Sequence, residues 1–310
     1  MKKIIIFFVF FNFACAFAEQ VDDALQQIGY SYKDEILNKQ KPPADDEQYP
    51  VSYFSRLAEL SLGDGGLCLS GCTGLIELPT AFIASHGYCN VAGHMLYSDG
   101  DFNLQGAAYQ SKKWEYIGSL NYGVRKNTEC GVNFISVNND ISSIPANVNY
   151  SIRKEFATFH FKLATPYKGK AVAFGGQYTN LSNEDQLLMD YMDLEKMNGY
   201  YIAISDQVSP RLFTNFSLKN TFIRSTDIPP IHIERQDLAI AGAGLEYRLG
   251  YTSLLAEAKQ LWGNYINDDN NLAFNCGARY RHSRISLDFA ALNLFNGSDA
   301  IYSGGMTYTF

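Results

Sequence analysis

The segment Ala300-Ile-Tyr-Ser-Gly-Gly-Met-Thr-Tyr-Thr-Phe310 decides the fold. Alternate residues divide it into two faces, because successive side chains of a strand point in opposite directions. One face is mostly aromatic and apolar: Tyr302, Gly304, Met306, Tyr308 and Phe310. The other is small and mostly hydroxylated: Ile301, Ser303, Gly305, Thr307 and Thr309. This pattern is typical of the closing strand of a transmembrane β-barrel, which meets lipid on one side and the barrel interior on the other. A terminal strand that ends in Phe resembles the signal by which bacterial outer-membrane barrels are recognised by the barrel-assembly machinery.

The amino terminus predicts export. Lys2 and Lys3 precede an apolar run over residues 4–11, and Ala16-Phe17-Ala18 forms a small-x-small cleavage site. These features predict a signal peptide over residues 1–18. Lipidation at Cys15 is the alternative, but Asn12 stands where a lipoprotein signal carries an aliphatic residue. Later apolar runs are too short for a transmembrane helix, so a membrane location requires a barrel.

Composition excludes one class of partner. The formal charge of −7 becomes −9 when Lys2 and Lys3 leave with the signal peptide. An acidic chain of this kind is a poor ligand for nucleic acid. The chain contains 25 Gly, 21 Tyr and 21 Phe, as expected for strands joined by tight turns. We expect no metal or cofactor. Cys68 and Cys72 form a candidate local disulfide, because exported proteins meet an oxidising compartment.

The periodicity divides the mature chain into two parts. Residues 19–66 have short helical patterns and a Pro42-Pro43 linker, so they predict an N-terminal helical segment, in the periplasm or as a plug. Residues 67–310 are predicted to form a single all-β domain, an antiparallel transmembrane barrel of about 12 strands, with 14 as the alternative. Turn residues at 98–101, 138–140 and 167–170 predict strand ends.

Charged residues of the last strands are expected to face the lumen. If the apolar faces meet lipid, seven side chains point inward, and cross-strand neighbours could be of opposite charge. These lumen-lining candidates are Glu246, Arg248, Glu257, Lys259, Arg279, Arg281 and Asp288. They form either a mutually neutralised filling of a narrow barrel or a basic lining that attracts an acidic solute.

The sequence gives little sign of catalysis. His160 is expected to face inward, and Ser85 and Ser283 adjoin His86 and His282 but point to the opposite face of an extended strand. The motif Gly-x-Ser-x-Gly is absent. We therefore expect no enzymatic activity and assign no catalytic residue.

The segment Gly74-Leu-Ile-Glu-Leu-Pro79-Thr80-Ala81 resembles the entry signature of YjbH-like outer-membrane proteins. The strands around Leu254–Glu257, Asn275–Arg279 and Leu287–Ala290 loosely match the terminal strands of those barrels. The resemblance implies a role in exopolysaccharide production or export, with envelope export proteins as partners. Members of that family are longer, and Phe82 stands where they often carry Arg. The simpler structural interpretation is that residues 74–81 form a bend that leads into the first strand.

The leading hypothesis is a non-enzymatic envelope protein of the bacterial outer membrane, exported by its signal peptide and surrounded by lipid. The alternatives are a narrow pore for small solutes, a membrane-embedded hydrolase and a secreted soluble β-protein.

Overall fold

A computed structural model describes most of the chain after residue 66. The described ranges are 67–104, 107–125, 127–143, 148–167, 170–180, 196–209, 211–223, 226–228, 231–233, 236–263, 272–294 and 300–310. The predicted signal peptide and the helical segment over residues 19–66 lie outside these ranges.

The described residues contain fourteen strands. Their bounds are β1 Cys89–Leu104, β2 Ala107–Arg125, β3 Thr128–Ser143, β4 Val148–Tyr167, β5 Lys170–Asn180, β6 Asn198–Gln207, β7 Leu212–Ile223, β8 Thr226–Ile228, β9 Ile231–Ile233, β10 Gln236–Leu249, β11 Thr252–Gly263, β12 Leu272–His282, β13 Ile285–Leu294 and β14 Ile301–Thr309.

Twelve of these strands form one closed antiparallel barrel, and β8 pairs with β9 as a separate hairpin. Each barrel strand pairs with its neighbours in the chain, with β7 pairing with β10 across the inserted hairpin. The carboxyl-terminal strand closes the barrel against β1, with Asn90 opposite Thr309 and Tyr97 opposite Tyr302. The prediction of a 12-stranded barrel is therefore confirmed.

The two ends of the barrel differ in their connections. β1 begins and β14 ends at one end, here called the terminal end. There the strands are joined through residues 126–127, 168–169, 208–211, 250–251 and 283–284. At the opposite end, the loop end, longer connections occur over residues 181–197, 224–235, 264–271 and 295–300.

Two predicted turns are wrong. Residues 98–101 lie inside β1 and residues 138–140 inside β3, where Asp140 pairs with Lys112 and Ser151. Long neighbouring strands satisfy the backbone of Ser98-Asp-Gly-Asp101 and Asn138-Asn-Asp140 through ladder hydrogen bonds, and this outweighs the local turn preference. The turn at 167–170 is confirmed, because Tyr167 pairs with Lys170 across it.

The strands have an apolar outer face. Met306 of β14 and Phe310, directly after β14, are 53% and 60% exposed on the outside, whereas Thr307 is 1% exposed inside. The same alternation places Phe159, Phe161 and other large apolar side chains outward around the barrel. Among the residues described, no helix is long and apolar enough to cross a membrane.

The interior is filled rather than hollow. Inward-facing apolar side chains of many strands form one buried cluster, which Leu69, Leu75 and Ile76 join from within the barrel. Its wall members are Leu96, Ile117, Ile135, Val137, Phe156, Leu238, Ile240, Leu255, Leu261, Ala273, Ala290, Leu292 and Ile301. The barrel thus has a core like that of a soluble protein, enclosed by its own wall.

Candidate functional site: the occupied lumen

Residues 67–84 lie inside the barrel and are here called the lumen segment. Most of its side chains are buried, and it joins β1 through the turn at residues 85–88. The sequence predicted a bend over residues 74–81 that leads into the first strand, within a barrel domain over residues 67–310. The structure has that bend at Gly74–Pro79, places residues 67–84 in the lumen and begins the wall at Cys89.

Two tight turns shape the lumen segment. Leu67 bridges to Thr73 around the first turn, and Gly74 bridges to Pro79 around the second. Gly71 has a φ of 81°, in the left-handed region that glycine tolerates. A Cβ on Gly74 would lie 2.6 Å from the Leu78 carbonyl oxygen and 2.7 Å from Cys68 Cβ. Only glycine fits at this crossing without displacement of the main chain.

Glu257 holds the second turn of the lumen segment through the main-chain amides of that turn. Its carboxylate accepts hydrogen bonds from the N–H groups of Ile76, Glu77 and Leu78, the shortest at 2.8 Å. Glu77 in turn forms an ion pair with Lys259 at 2.7 Å. The Asn275 amide donates to both carboxylates and so bridges them.

A second cluster holds the other end of the lumen segment. Lys162 Nζ lies 2.8 Å from Glu129 Oε1, and both side chains have no solvent exposure. Lys162 donates to the carbonyl oxygens of Thr73, Thr80 and Phe82. Glu129 accepts from the N–H groups of Thr73 and Ala84. A buried ion pair is tolerated only when such additional hydrogen bonds satisfy its remaining atoms.

Arg279 contacts the lumen segment from the opposite side of the barrel. Its guanidinium donates to the carbonyl oxygens of Gly74 and Leu75 at 3.1 and 2.8 Å. It also forms an ion pair with Asp288, directly opposite on β13. The guanidinium therefore joins the wall to the segment through a planar fork of donors.

The remaining predicted lumen residues form a cluster near the terminal end. Glu246 accepts from Arg281 at 2.6 Å, from Arg248 at 3.0 Å and from Ser253 at 2.8 Å. Arg248 also lies 4.0 Å from the centre of the Phe213 ring. All seven residues predicted to line the lumen lie on the inner wall. They form ion pairs and hydrogen bonds with protein groups, an arrangement closer to a neutralised filling than to a basic channel lining.

Residues 196–197 occupy the interior towards the loop end. Lys196 Nζ lies 2.5 Å from Glu115, and the Lys196 carbonyl accepts from Thr158 and Thr179. Met197 is buried and belongs to the apolar cluster. Protein atoms therefore fill the interior on both the terminal-end side and the loop-end side of the buried apolar cluster.

Cys68 and Cys72 face each other across the first turn of the lumen segment. The Cys68 N–H donates to the Cys72 carbonyl, and the two Sγ atoms lie 3.5 Å apart as free thiols. Burial raises the pKa of Cys68, whereas the hydrogen bond with Cys68 lowers the pKa of Cys72. The predicted disulfide is not formed in this structure, although the pair is close enough for bonding after a small movement.

The histidines are dispersed. His160 is buried inside the barrel, with Nε2 3.3 Å from Asn121 Oδ1, and His282 packs edge-on against Tyr251 near the terminal end. His86 lies in the exposed turn before β1. Within the described ranges, no group of three His, Cys, Asp or Glu side chains is arranged to hold a metal ion.

Sequence reasoning missed several residues that hold the lumen segment. Glu129 and Lys162 are direct cross-strand partners on β3 and β4, and each is a charge at an inward position of its strand. That placement is a detectable signal, because a charge at an inward position needs a partner. Asn133, Ser205 and Asn215 also contact the segment, but short polar residues on a strand carry no such signal.

Solved structures with similar backbones are themselves barrels. They include an outer membrane channel from Pseudomonas putida F1, with a TM-score of 0.47, 11% identity, and coverage of 73% of this chain and 96% of that one. The translocator domain of autotransporter NalP from Neisseria meningitidis has a TM-score of 0.44 and 12% identity, and the match covers 83% of this chain and 94% of that one. The Pseudomonas putida toluene transporter TodX has a TM-score of 0.45 and 10% identity, and the match covers 80% of this chain and 96% of that one. These values are too low to support an argument about function, and the fold rests on the strand pairing itself. No protein-family model matches the chain, and a search of curated proteins gave no match.

Proposed function

We propose that this protein is an outer-membrane β-barrel of the bacterial envelope whose lumen is closed at rest by its own residues 67–84. The observation that carries the proposal is the outer surface: an apolar belt bounded by aromatic side chains at both ends. Towards the terminal end these are Tyr88, Tyr122, Tyr247, Tyr251, Tyr308 and Phe310, and towards the loop end Tyr97, Trp114, Tyr178, Tyr200, Trp262 and Tyr302. Such a belt between two aromatic girdles is the surface that a transmembrane barrel presents to lipid.

The height of the belt fits a bilayer. Tyr251 and Trp262 lie on one hairpin arm, separated by eleven residue steps. At about 3.3 Å per residue and a tilt of about 40°, this separation corresponds to roughly 28 Å across the membrane. Beyond the belt of β4, towards the loop end, the outward residues become charged, with Arg153 and Glu155 strongly exposed and ion-paired.

The connections suggest an orientation. Bacterial outer-membrane barrels have short periplasmic turns and longer extracellular loops. We therefore assign the terminal end, with its short turns, to the periplasm and the loop end to the exterior. The exported chain would then present the lumen segment from the periplasmic side, through the turn at residues 85–88.

We infer a non-enzymatic role in the envelope. The filled interior argues against a permanently open pore, so a pore for small solutes, the second candidate, requires the lumen segment to move. The link to exopolysaccharide production or export rests on the resemblance of residues 74–81. Those residues form the second turn of the lumen segment, where Glu257 and Arg279 hold them.

Membrane fractionation and gel mobility test the location. Protein expressed with its own amino terminus should be recovered from the outer membrane, migrate differently when heated in detergent and give a strand-rich circular dichroism spectrum. Recovery as a soluble periplasmic protein without heat-modifiable mobility would contradict the proposal.

The finer roles need separate assays. Loss of surface polysaccharide on deletion of the gene, restored by the wild-type chain and not by a Gly74→Val variant, would support the export role. Unchanged polysaccharide after deletion would contradict it. Lipid hydrolysis by the purified barrel that disappears on replacement of one histidine would contradict the non-enzymatic role.

A further inference from the structure

The barrel wall holds the lumen segment by its main chain. Seven wall side chains bind six N–H groups and seven carbonyl oxygens of the segment. The wall residues are Glu129, Asn133, Lys162, Ser205, Asn215, Glu257 and Arg279. The N–H groups belong to Thr73, Ile76, Glu77, Leu78, Ala81 and Ala84. The carbonyls belong to Ser70, Thr73, Gly74, Leu75, Pro79, Thr80 and Phe82.

The wall matches the chemistry of a peptide backbone. Carboxylates meet N–H groups, and cationic or amide donors meet carbonyl oxygens. Glu257 accepts from three consecutive amides. A polysaccharide built of hydroxyls and ring oxygens lacks such a run of donor-only groups. Charge-assisted hydrogen bonds of this kind are stronger than neutral ones and depend on the path of the main chain more than on side-chain identity.

The strand pairs of the barrel do not include residues of the lumen segment. The bridges of residues 67–79 are internal to the segment, and the barrel closes through β1 and β14. The segment is connected to the wall by the exposed turn at residues 85–88, where Gly87 has a φ of 82°. Withdrawal of the segment would therefore leave every strand pair of the barrel in place.

We propose that the inner wall is a binding site for a polypeptide main chain, which residues 67–84 occupy within the same molecule. A segment of a second polypeptide occupies the same site when the lumen segment is displaced. The wall supplies the same main-chain contacts in both cases, because they are made to groups that every non-proline residue carries. The contacts of Lys259 and Asn275 with the Glu77 side chain belong to the lumen segment alone.

Peptide binding in detergent micelles tests this proposal. The probe is a fluorescent peptide of residues 67–84 in which Ser replaces both cysteines. The receptor is the full chain with Gly74→Val, whose larger side chain disrupts the second turn but leaves the wall unchanged. We expect saturable binding to this variant and little to the wild type, whose site is filled. Adding Glu257→Gln to the variant should weaken binding by about tenfold or more.

An N-methylated peptide is the matched control. Methylation of the amides of Ile76, Glu77 and Leu78 removes three donors and retains every side chain. We expect its affinity to fall by about tenfold or more. Equal affinity of the two peptides, or competition by a neutral oligosaccharide at the same concentration, would overturn the proposal.

A second measurement covers the case in which the variant does not fold. The wild-type chain is refolded from denaturant with the peptide at about 5 mM, comparable with the effective concentration of the tethered lumen segment. Folded barrels are then selected by their heat-modifiable mobility. Folded barrels that retain the unmethylated peptide and not the methylated one support the proposal, and folded barrels without peptide overturn it. Because the assay uses micelles, its outcome is independent of the cellular location of the barrel.

Discussion

Glu129 and Lys162 stand directly opposite each other on β3 and β4 and form a fully buried ion pair at 2.8 Å. Each partner also binds the main chain of the lumen segment, so the pair connects the barrel wall to its contents. A buried charge that loses its partner is strongly destabilising, because the remaining charge has neither water nor a counter-ion. The pair therefore couples the stability of the wall to the occupancy of the lumen.

Replacing Lys162 with Met should destabilise the barrel by about 3–5 kcal/mol, because Glu129 is left as an uncompensated buried charge. The measurement is the denaturant concentration at which the heat-modifiable band is lost. Lys170→Met is the matched control, since Lys170 pairs with Asp206 at an exposed site. An exposed pair contributes at most about 1 kcal/mol. Equal effects of the two substitutions would contradict the assigned role of Lys162.

Gly74→Ala should loosen the lumen segment and raise the conductance of the barrel in planar bilayers. The added Cβ would lie within 2.7 Å of two groups of the segment itself, so the second turn must open. Gly118→Ala is the control, because a Cβ on Gly118 meets nothing within 4 Å. We expect little current from the wild type and from the control. An open-pore conductance in the wild type would show that residues 67–84 do not close the lumen.

Cys68 and Cys72 should form a disulfide in protein that folds in the periplasm with a disulfide donor present. Their Sγ atoms are 3.5 Å apart across a tight turn, so a small rotation of the two side chains brings the sulfur atoms to bonding distance. Mass spectrometry should find the peptide that contains both cysteines lighter by two hydrogen atoms. Reduction should restore them. Cys72→Ser provides the control, and a wild-type peptide that keeps both thiols after export would refute the prediction.

Leu218→Arg should destabilise the barrel by about 2–4 kcal/mol, because a charge at the middle of the lipid-facing belt loses its hydration. Leu218 is 50% exposed and lies on the outer face near the centre of β7. Ser151→Arg is the comparison, since Ser151 is exposed on the outward face of β4 beyond the belt, where a charge costs about 0–1 kcal/mol. The loss of stability in each variant is measured as the folded fraction in detergent and in lipid vesicles. Similar losses for both variants would argue against the proposed membrane boundaries.

The periodicity of the wall was readable from the sequence because a strand places alternate residues on opposite faces. β14 shows this directly: Met306 and Phe310 point outward, and Thr307 points inward. The same rule put Arg279 and Asp288 on the inner face, where the register makes them direct partners. The terminal strand was read as the closing strand, and it does close the barrel against β1.

The alternation of side chains could not predict the position of residues 67–84. The lumen segment has no regular period, because its backbone is held by side chains distant in the sequence, such as Glu257 and Lys162. The ends of β1 and β3 were also misjudged. Their stretches of Asp, Asn and Gly favour turns locally, but pairing with long neighbouring strands keeps them extended.

The sequence by itself determined the strand character of the wall, its apolar outer face and the inward direction of its charges. Those properties follow from single residues and their alternation. Only the tertiary structure decided that the lumen is filled, which segment fills it and which charges hold that segment. Such contacts arise only when closure of the barrel brings opposite parts of the wall around the same eighteen residues, 67–84.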